Sequence, residues 1–182
     1  MKLTLLGGGG FRVPLMFRTL LADQSDRRVT ELRLWDTDAG RLAVIRSILQ
    51  AMAQGHPTAP KVEVSQNLDE AVAGTDFVFS AIRVGGTEGR ATEETIAHCC
   101  EVLGQETTGF GGLNYALRGI PTAIRIAETI ARLAPEAHLI NFTNPAGIIT
   151  EVSSRILGDR VIGICDSPVG LARRVLDTLE GA

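Results

Sequence analysis

Residues 2–14 read Lys-Leu-Thr-Leu-Leu-Gly-Gly-Gly-Gly-Phe-Arg-Val-Pro, which is an apolar strand, a run of four glycines and the start of an apolar helix. A dinucleotide pyrophosphate needs side-chain-free backbone and free N–H groups at a helix N-terminus, and this turn supplies both. The usual third glycine is missing, because Arg12 or Val13 stands there, depending on the glycine that is counted first. A glycine run after a strand is often only a tight turn, so this stretch alone is a weak indication of NAD binding.

An acidic residue closes the next apolar stretch, Leu32-Arg33-Leu34-Trp35-Asp36. A carboxylate at the end of the second strand of a dinucleotide-binding fold binds the ribose hydroxyls of NAD and repels the extra phosphate of NADP. The alternative is a surface aspartate that starts a turn or caps the helix beginning near Thr37-Asp38. Because the glycine turn and Asp36 support each other, the two together predict a site for NAD.

Stretches of strand length alternate with stretches of helical period along the chain, which is typical of a parallel sheet with crossover helices. Its 182 residues, 45% of them hydrophobic, allow one sizeable core. We therefore expect one NAD-binding unit over residues 1–182, a Rossmann-like, doubly wound, mostly parallel α/β sheet with helices on both faces. The predicted strands are Lys2–Leu6, Glu31–Trp35, Lys61–Ser65, Asp76–Ser80, His138–Phe142 and Val161–Cys165, and the predicted helices are Val13–Ala22, Ala39–Gln54, Asp69–Ala73, Thr92–Leu103, Tyr115–Leu133, Gly147–Leu157 and Pro168–Leu179.

Charge and composition exclude several classes of protein. Eighteen Lys and Arg against 21 Asp and Glu give a net charge of −3, which is too balanced for a protein that binds nucleic acid by neutralising phosphates. No apolar run approaches the ~20 residues that a membrane-spanning helix needs. The three cysteines, two of them adjacent, form no disulfide framework. We expect a soluble cytoplasmic protein without a nucleic-acid or membrane partner.

The segment from Arg83 to Asn114 interrupts the alternation, since it is rich in glycine and has little periodicity. A long irregular insertion more often carries function than merely connects two elements, and we expect this segment to be such an insertion. Arg83 and Arg90 suit a phosphate or carboxylate, because a guanidinium group binds such oxygens bidentately. The alternative is that Arg90 only pairs with Glu93 and Glu94 on an exposed helix face.

Two expectations concern the region just beyond these arginines. The run Gly104–Leu113 is predicted to be a loop that wraps closely around a ligand, since it is too glycine-rich for regular structure and too polar for the core. In the helix predicted to follow, one face carries Leu117, Ile120, Ile124, Ala127 and Ala131, and the other carries Arg118, Arg125 and Arg132. This amphipathic pattern predicts that the helix packs against another part of the protein.

Two more pairs of chemically active residues follow predicted strands. Asn141 and Asn144 lie before a helix, and one amide can cap that helix while the other remains for a ligand. Cys165 and Asp166 suit a divalent metal, or a nucleophile and an acid, although two donors do not complete a metal site. The alternative is a buried cysteine beside an aspartate that caps the helix beginning at Pro168.

Taken in order, the motifs of this chain resemble glycoside hydrolase family 4, the NAD- and metal-dependent family of 6-phospho-glucosidases. The motifs are Gly7-Gly8-Gly9, Arg83-Val84-Gly85, Gly104-Gln105-Glu106-Thr107, Ala116-Leu117-Arg118, Ile120-Pro121, Asn141-Phe142-Thr143-Asn144-Pro145 and Cys165-Asp166-Ser167-Pro168. The resemblance implies hydrolysis that begins with transfer of hydride from C3 of the sugar to NAD, which acidifies the proton on C2. A base removes that proton, the leaving group departs from C1, water adds and the hydride returns. A divalent metal, usually manganese, stabilises the enediolate.

The resemblance also implies a role for each candidate residue. The cofactor-binding residues would be Gly7, Gly8, Gly9, Phe11, Arg12, Asp36, Arg83 and Asn141. The phospho-sugar would be bound by Arg83, Arg90 and Asn144. Cys165 would be a metal ligand, Asp166 would be the general acid, and Glu106 would orient the metal-bound water or the leaving group.

The resemblance leaves the anomeric preference open. Asp166 is the residue typical of members that act on α-linked sugars, whereas the glycine turn and Phe11-Arg12 look more like β-acting members. We favour a 6-phospho-β-glucosidase, with a 6-phospho-α-glucosidase or a stand-alone NAD-binding module without turnover as alternatives. The family pattern also has Asp and Glu where this chain has Glu93 and Glu94.

The remaining expectations concern the whole enzyme. The histidine metal ligand and the tyrosine base of the family lie downstream of this region, so we expect the chain to be an N-terminal portion that lacks the C-terminal family domain. Its partner would be a phosphorylated disaccharide or glucoside, and the full-length enzyme would be a homo-oligomer, either a dimer or a tetramer.

Overall fold

Short apolar strands form one sheet in this computed structural model, which describes residues 1–180. The strands are β1 (Lys2–Leu6), β2 (Glu31–Trp35), β3 (Lys61–Ser65), β4 (Phe77–Ser80), β5 (His138–Asn141) and β6 (Val161–Gly163). Their order is β3-β2-β1-β4-β5-β6, and every pairing between neighbours is parallel. This is the order of a doubly wound dinucleotide-binding sheet, so the predicted fold class is confirmed.

Helices connect the strands and cover both faces of the sheet. They are α1 (Val13–Ala22), α2 (Ala39–Met52), α3 (Leu68–Val72), α4 (Gly86–Cys99), α5 (Gly109–Leu133), α6 (Ala146–Leu157) and α7 (Asp166–Glu180), with a 3₁₀ turn at Gly158–Arg160. Local signals place two of the starts: the carboxylate of Asp38 accepts from the Arg41 amide at 2.9 Å, and Pro14 stands in the first turn of α1. No helix within residues 1–180 is both long and apolar enough to cross a bilayer.

The two faces of the sheet carry separate apolar cores. Leu5 packs with Phe17 and Leu49 under α1 and α2, whereas the next residue, Leu6, packs with Val72 and Ile130 under α3 and α5. Successive side chains of a strand point to opposite faces, so a strand that is covered on both sides is apolar throughout. This burial explains the nearly continuous apolar runs in the sequence.

The segment between Arg83 and Asn114 is mostly helical, so the prediction of an irregular insertion was wrong, whereas the helix predicted within it at Thr92–Leu103 is confirmed in part, since α4 spans Gly86–Cys99. The sequence of α4 shows no apolar periodicity, because only Glu93 and Ala97 are buried on this helix. The glycine-rich run also contains the first residues of α5. A Cβ at Gly111 or Gly112 would lie 2.5 Å or 2.4 Å from the backbone of the preceding loop, so glycine lets that loop lie directly against the helix.

The predicted apolar face of α5 is only partly buried. Its Ala127 lies in the core, but Leu117 and Ile124 are exposed, at 61% and 36%, and the buried face also carries Tyr115 and the small residues Gly119 and Ala123. Small residues allow α5 to pack closely on α6, whereas two of the large apolar side chains on which the prediction depended, Leu117 and Ile124, point outward. Helix α7 likewise exposes its large apolar side chains, which are Val169, Leu171, Val175, Leu176 and Leu179.

Candidate active site

An open cavity of about 720 Å³ lies at the carboxyl edge of the sheet, beyond the ends of the neighbouring strands β1 and β4. This is the switch point at which doubly wound proteins bind ligands. It brings together most of the predicted site residues, which are Gly7, Phe11, Arg12, Arg83, Arg90, Glu106, Asn144, Cys165 and Asp166. The remaining four, Gly8, Gly9, Asp36 and Asn141, do not line the cavity.

Asp36 holds the glycine turn in place. One of its carboxylate oxygens accepts from the Gly9 amide at 2.9 Å and the other accepts from the Asp38 amide at 3.1 Å. Asp36 starts the turn into α2, as the alternative interpretation predicted. It also stands at the end of β2 beside the glycines, which is the position predicted for a ribose-binding carboxylate. Each oxygen retains a lone pair for a further donor.

The glycine turn fits a dinucleotide. Within residues 1–180 the amides of Phe11 and Arg12 donate to no acceptor, and they precede the first turn of α1. Free N–H groups at a helix start are the usual partners of a pyrophosphate. The turn therefore supplies the donors that the sequence predicted, without its third glycine.

Arg12 crosses the mouth of the cavity. Its guanidinium group lies 3.6 Å from a carboxylate oxygen of Asp166 and 5.4 Å from the ring centre of Phe142. It thereby links the glycine turn to the start of α7. The pair is solvent-exposed, so its contribution to stability is small.

Glu106 occupies the space between the two predicted anion-binding arginines. Arg83 and Arg90 each donate to a different oxygen of its carboxylate, Arg90 at 2.7 Å. Arg90 also donates to Glu94 at 2.6 Å, so the predicted helix-surface pairing is confirmed for Glu94. It is wrong for Glu93, which is buried and pairs with Arg118. The guanidinium Nη1 of Arg83 is buried without an acceptor in the described part of the chain, which leaves a donor free for an oxyanion.

Tyr115 also lines the cavity, although no motif in the sequence marked it as a site residue. Two guanidinium groups lie over its ring, that of Arg83 at 5.0 Å and that of Arg118 at 5.4 Å from the centroid. Burial raises the pKa of its hydroxyl, and the neighbouring positive charges only partly offset that effect. It is the sole tyrosine in the sequence, and its place at the start of a long amphipathic helix was the one available signal.

Neither asparagine caps α6, so that part of the prediction was wrong: Pro145 is the N-cap residue, and no side chain forms a capping hydrogen bond there. Asn141 is fully buried, and its amide donates to Thr150 at 3.1 Å and accepts from the Thr143 amide at 3.1 Å, which shapes the turn into α6. Asn144 is half-buried and lines the cavity. The predicted contact of Asn141 with the nicotinamide stays a prediction, since its side chain has no exposed surface here.

Thr143 connects the ends of β4 and β5. Its hydroxyl oxygen accepts from the Ile82 amide at 3.1 Å and lies 3.1 Å from the Ser80 hydroxyl, and both hydroxyl side chains are buried. This link holds the backbone before Arg83 against the turn that carries Asn144.

Cys165 is exposed, so the alternative of a buried cysteine was wrong. Its sulfur lies 4.0 Å from a carboxylate oxygen of Asp166. Across residues 1–180, no third His, Cys, Asp or Glu joins them in a cluster that could hold a metal ion. Hard divalent cations take several oxygen or nitrogen donors, so these two residues alone do not hold manganese.

The ion pairs of Glu106 predict a pH-dependent stability. Burial raises the pKa of this carboxyl, but hydrogen bonds and charge from Arg83 and Arg90 outweigh burial and bring the pKa below its ordinary 4.5. A carboxyl with a lower pKa in the folded state stabilises the fold above the unfolded-state pKa and loses that contribution as the pH falls through the folded-state value. We expect Glu106→Gln to lower the free energy of unfolding by about 1–2 kcal/mol at neutral pH.

Urea unfolding of both forms from about pH 7 to about pH 3 measures this effect. The difference between wild type and Glu106→Gln is expected to shrink at the acid end of the series. A difference that stays constant across the series would contradict the assignment.

Comparison with known proteins matches residues 2–180 to the family described as "Family 4 glycosyl hydrolase". The 6-phospho-beta-glucosidase of Escherichia coli is 35% identical over 98% of this chain and 40% of its own length. The 6-phospho-alpha-glucosidase 1 of Lacticaseibacillus paracasei is 35% identical over 93% of this chain and 38% of its own length.

A solved structure of a 6-phospho-glucosidase also resembles this chain. The 6-phospho-beta glucosidase of Thermotoga maritima, crystallised with manganese, NAD+ and glucose-6-phosphate, superposes with a TM-score of 0.91 at 29% identity, covering 99% of this chain and 44% of its own. This chain therefore spans about two-fifths of the length of the relatives that it matches. Because the family match extends over nearly every residue that builds the sheet and the cavity, the chain belongs to glycosyl hydrolase family 4.

Proposed function

We propose that this chain is the NAD-binding part of a 6-phospho-β-glucosidase. One observation carries the proposal: the paired guanidinium groups of Arg83 and Arg90 open into the same cavity as the glycine turn at Gly7. A sugar phosphate held by the arginines would therefore place its ring beside a dinucleotide held by the turn. Relatives crystallised with NAD and glucose-6-phosphate support the pairing of these two ligands.

The residues of the chain perform the binding steps. The free amides of Phe11 and Arg12 would bind the pyrophosphate, and Asp36 would accept from a ribose hydroxyl. NAD, when bound, supplies the hydride acceptor for oxidation of the sugar. Arg83 and Arg90 would bind the phosphate, which requires them to release or share the Glu106 carboxylate that they now hold.

The proposed polar contacts at the reacting end of the sugar come from Asn144 and Asp166. Asn144 would donate to a substrate oxygen, since its amide lines the cavity. Asp166 would deliver a proton to the leaving oxygen, which requires that its carboxylate first take up a proton from solvent and release its ion pair with Arg12; this carboxyl group lines the same cavity. Cys165 would contribute one donor to a manganese ion, whose other ligands would come from outside residues 1–180.

A 6-phospho-α-glucosidase is the second candidate. The observation that favours it is Asp166 beside Cys165, because the family resemblance implies that an aspartate at this position is typical of α-acting members. The relatives do not separate the two, because β- and α-acting enzymes match this chain equally at 35% identity.

Two further proposals concern the setting of the enzyme. We propose a cytoplasmic location, supported by three free, exposed cysteines that a reducing compartment would keep as thiols. We also propose a homo-oligomer, a dimer or a tetramer, which light scattering of the protein would measure.

Hydrolysis of chromogenic 6-phospho-β- and 6-phospho-α-glucosides by the full-length enzyme, with and without NAD and Mn²⁺, tests the function. We expect release of the chromophore from the β-anomer only when both NAD and Mn²⁺ are present. Turnover that persists after complete removal of NAD would contradict the oxidative route. Binding of NAD without turnover of either anomer would instead identify a stand-alone NAD-binding module.

A further inference from the structure

We infer that Arg118 is a positioning residue for the sugar phosphate, which it does not touch. The inference rests on the proposed function, because it assumes that Arg83 and Arg90 bind the phosphate. Arg118 and its partner Glu93 lie outside the residues that line the cavity. Arg118 and Glu93 would therefore act on the sugar phosphate through the backbone that carries Arg83 and Arg90.

Arg118 connects α5 both to the turn before α4 and to α4 itself. Its Nε donates to the Val84 carbonyl oxygen at 2.7 Å, and its Nη1 pairs with Glu93 on α4. Glu93 is only 7% exposed, so this carboxylate has its partner inside the protein. A buried pair with a directed bond to the backbone constrains geometry more than an exposed ion pair does.

The Arg118 guanidinium group lies against Gly85, in the turn before α4, and against Gly89, in the first turn of α4. A Cβ at Gly85 would lie 2.7 Å from its Nε, and a Cβ at Gly89 would lie 2.9 Å from its Cζ. Gly85 has a φ of +79°, so the chain enters α4 in the left-handed region. Arg83 stands just before this packed turn and Arg90 directly after Gly89, so the turn sets the separation of the two anion-binding groups.

Tyr115 extends the same constraint to the side chain of Arg83. The ring contacts the guanidinium groups of both Arg118 and Arg83, and both arginine side chains are partly buried. The position of the ring therefore depends on the planar group of Arg118, and the ring in turn packs against Arg83. Lysine at position 118 would keep the charge opposite Glu93 but lose both the plane and the Nε donor.

Equilibrium binding of glucose 6-phosphate and of NAD to Arg118→Lys tests the inference. We expect Arg118→Lys to weaken glucose 6-phosphate binding about tenfold, because one charge-assisted hydrogen bond and the alignment of Arg83 are lost, while NAD affinity stays unchanged. Arg125→Lys, two turns further along α5 on an exposed position, is the matched control and is expected to bind both ligands as the wild type does.

A double variant separates positioning from general destabilisation. Arg83→Met should itself abolish most of the glucose 6-phosphate binding, and adding Arg118→Lys should then cause little further loss, since the residue acts through Arg83. Full additivity of the two losses would overturn the inference. Equal losses of NAD and glucose 6-phosphate in Arg118→Lys would also overturn it, because they indicate a purely structural role.

Gly89→Ala provides a test that does not depend on folding of the lysine variant. Alanine favours the α4 helix by about 1 kcal/mol over glycine, yet its Cβ would displace the guanidinium group of Arg118. We expect weaker glucose 6-phosphate binding from this variant. Wild-type affinity in both Gly89→Ala and Arg118→Lys, with Arg83→Met still defective, would refute the positioning role alone. An unchanged Arg83→Met would instead refute the proposed phosphate site.

Discussion

Replacement of Gly7 by alanine is expected to lower the free energy of unfolding by about 3 kcal/mol. The residue has a φ of +89°, and a Cβ there would lie 2.4 Å from the Ala81 carbonyl oxygen at the end of β4. The left-handed backbone costs about 1–2 kcal/mol for a residue with a side chain. Insertion of a methyl group into close-packed backbone adds about 1–3 kcal/mol. Ala81 directly follows β4 and its amide donates to the Leu6 carbonyl oxygen at 2.9 Å, so its backbone yields little.

Gly74→Ala is the matched control for this substitution. Gly74 also has a positive φ, +64°, but nothing lies within 4 Å of its hypothetical Cβ. The loss of stability in Gly74→Ala should therefore be limited to the cost of the left-handed backbone, about 1–2 kcal/mol. Urea unfolding of both variants measures the comparison, and equal losses would show that the contact with Ala81 carries no energy. We also expect Gly7→Ala to bind NAD more weakly, since the turn would move away from Ala81.

Asp36→Ala is expected to reduce NAD affinity by about 10- to 100-fold, the effect of losing hydrogen bonds to a charged group. Two consequences combine. The amides of Gly9 and Asp38 lose the acceptor that holds the turn against the end of β2, and the proposed ribose contact disappears. Loss of the negative charge should also reduce the preference for NAD over NADP, since nothing would then repel the extra phosphate.

Calorimetric titration of NAD and NADP measures both effects. Asp38→Asn is the control, because Asp38 lies two residues further on and asparagine caps a helix as well as aspartate does. Its affinities are expected to match those of the wild type. An Asp36→Ala variant that retains wild-type NAD affinity would contradict the assignment of the cofactor site.

The site residues at the ends of strands were predictable because a parallel sheet brings those ends to one edge. Residues as distant in sequence as Gly7, Arg83, Asn144 and Cys165 follow different strands, and all four line one cavity. The pattern of apolar strands was therefore enough to group them. Their roles in binding and catalysis stay predictions.

The supporting residues were not predictable in this way. Glu93 is one of two adjacent glutamates on a polar helix, and nothing in its neighbours distinguishes it from the exposed Glu94. Arg118 was expected on a solvated face. Each acquires its environment from a partner on another helix, and that partner is 25 residues away in the chain.

The sequence by itself determined the α/β class, most strand and helix positions and the edge of the sheet at which the chemistry gathers, since these follow from local hydrophobic period and from turn chemistry. Only the tertiary structure decided which face of α5 is buried, that α4 already begins at Gly86, and that Glu106 lies between Arg83 and Arg90. These features depend on close packing between segments that are distant in the chain. Small residues and buried ion pairs govern such packing, and neither leaves a periodic signal in the sequence.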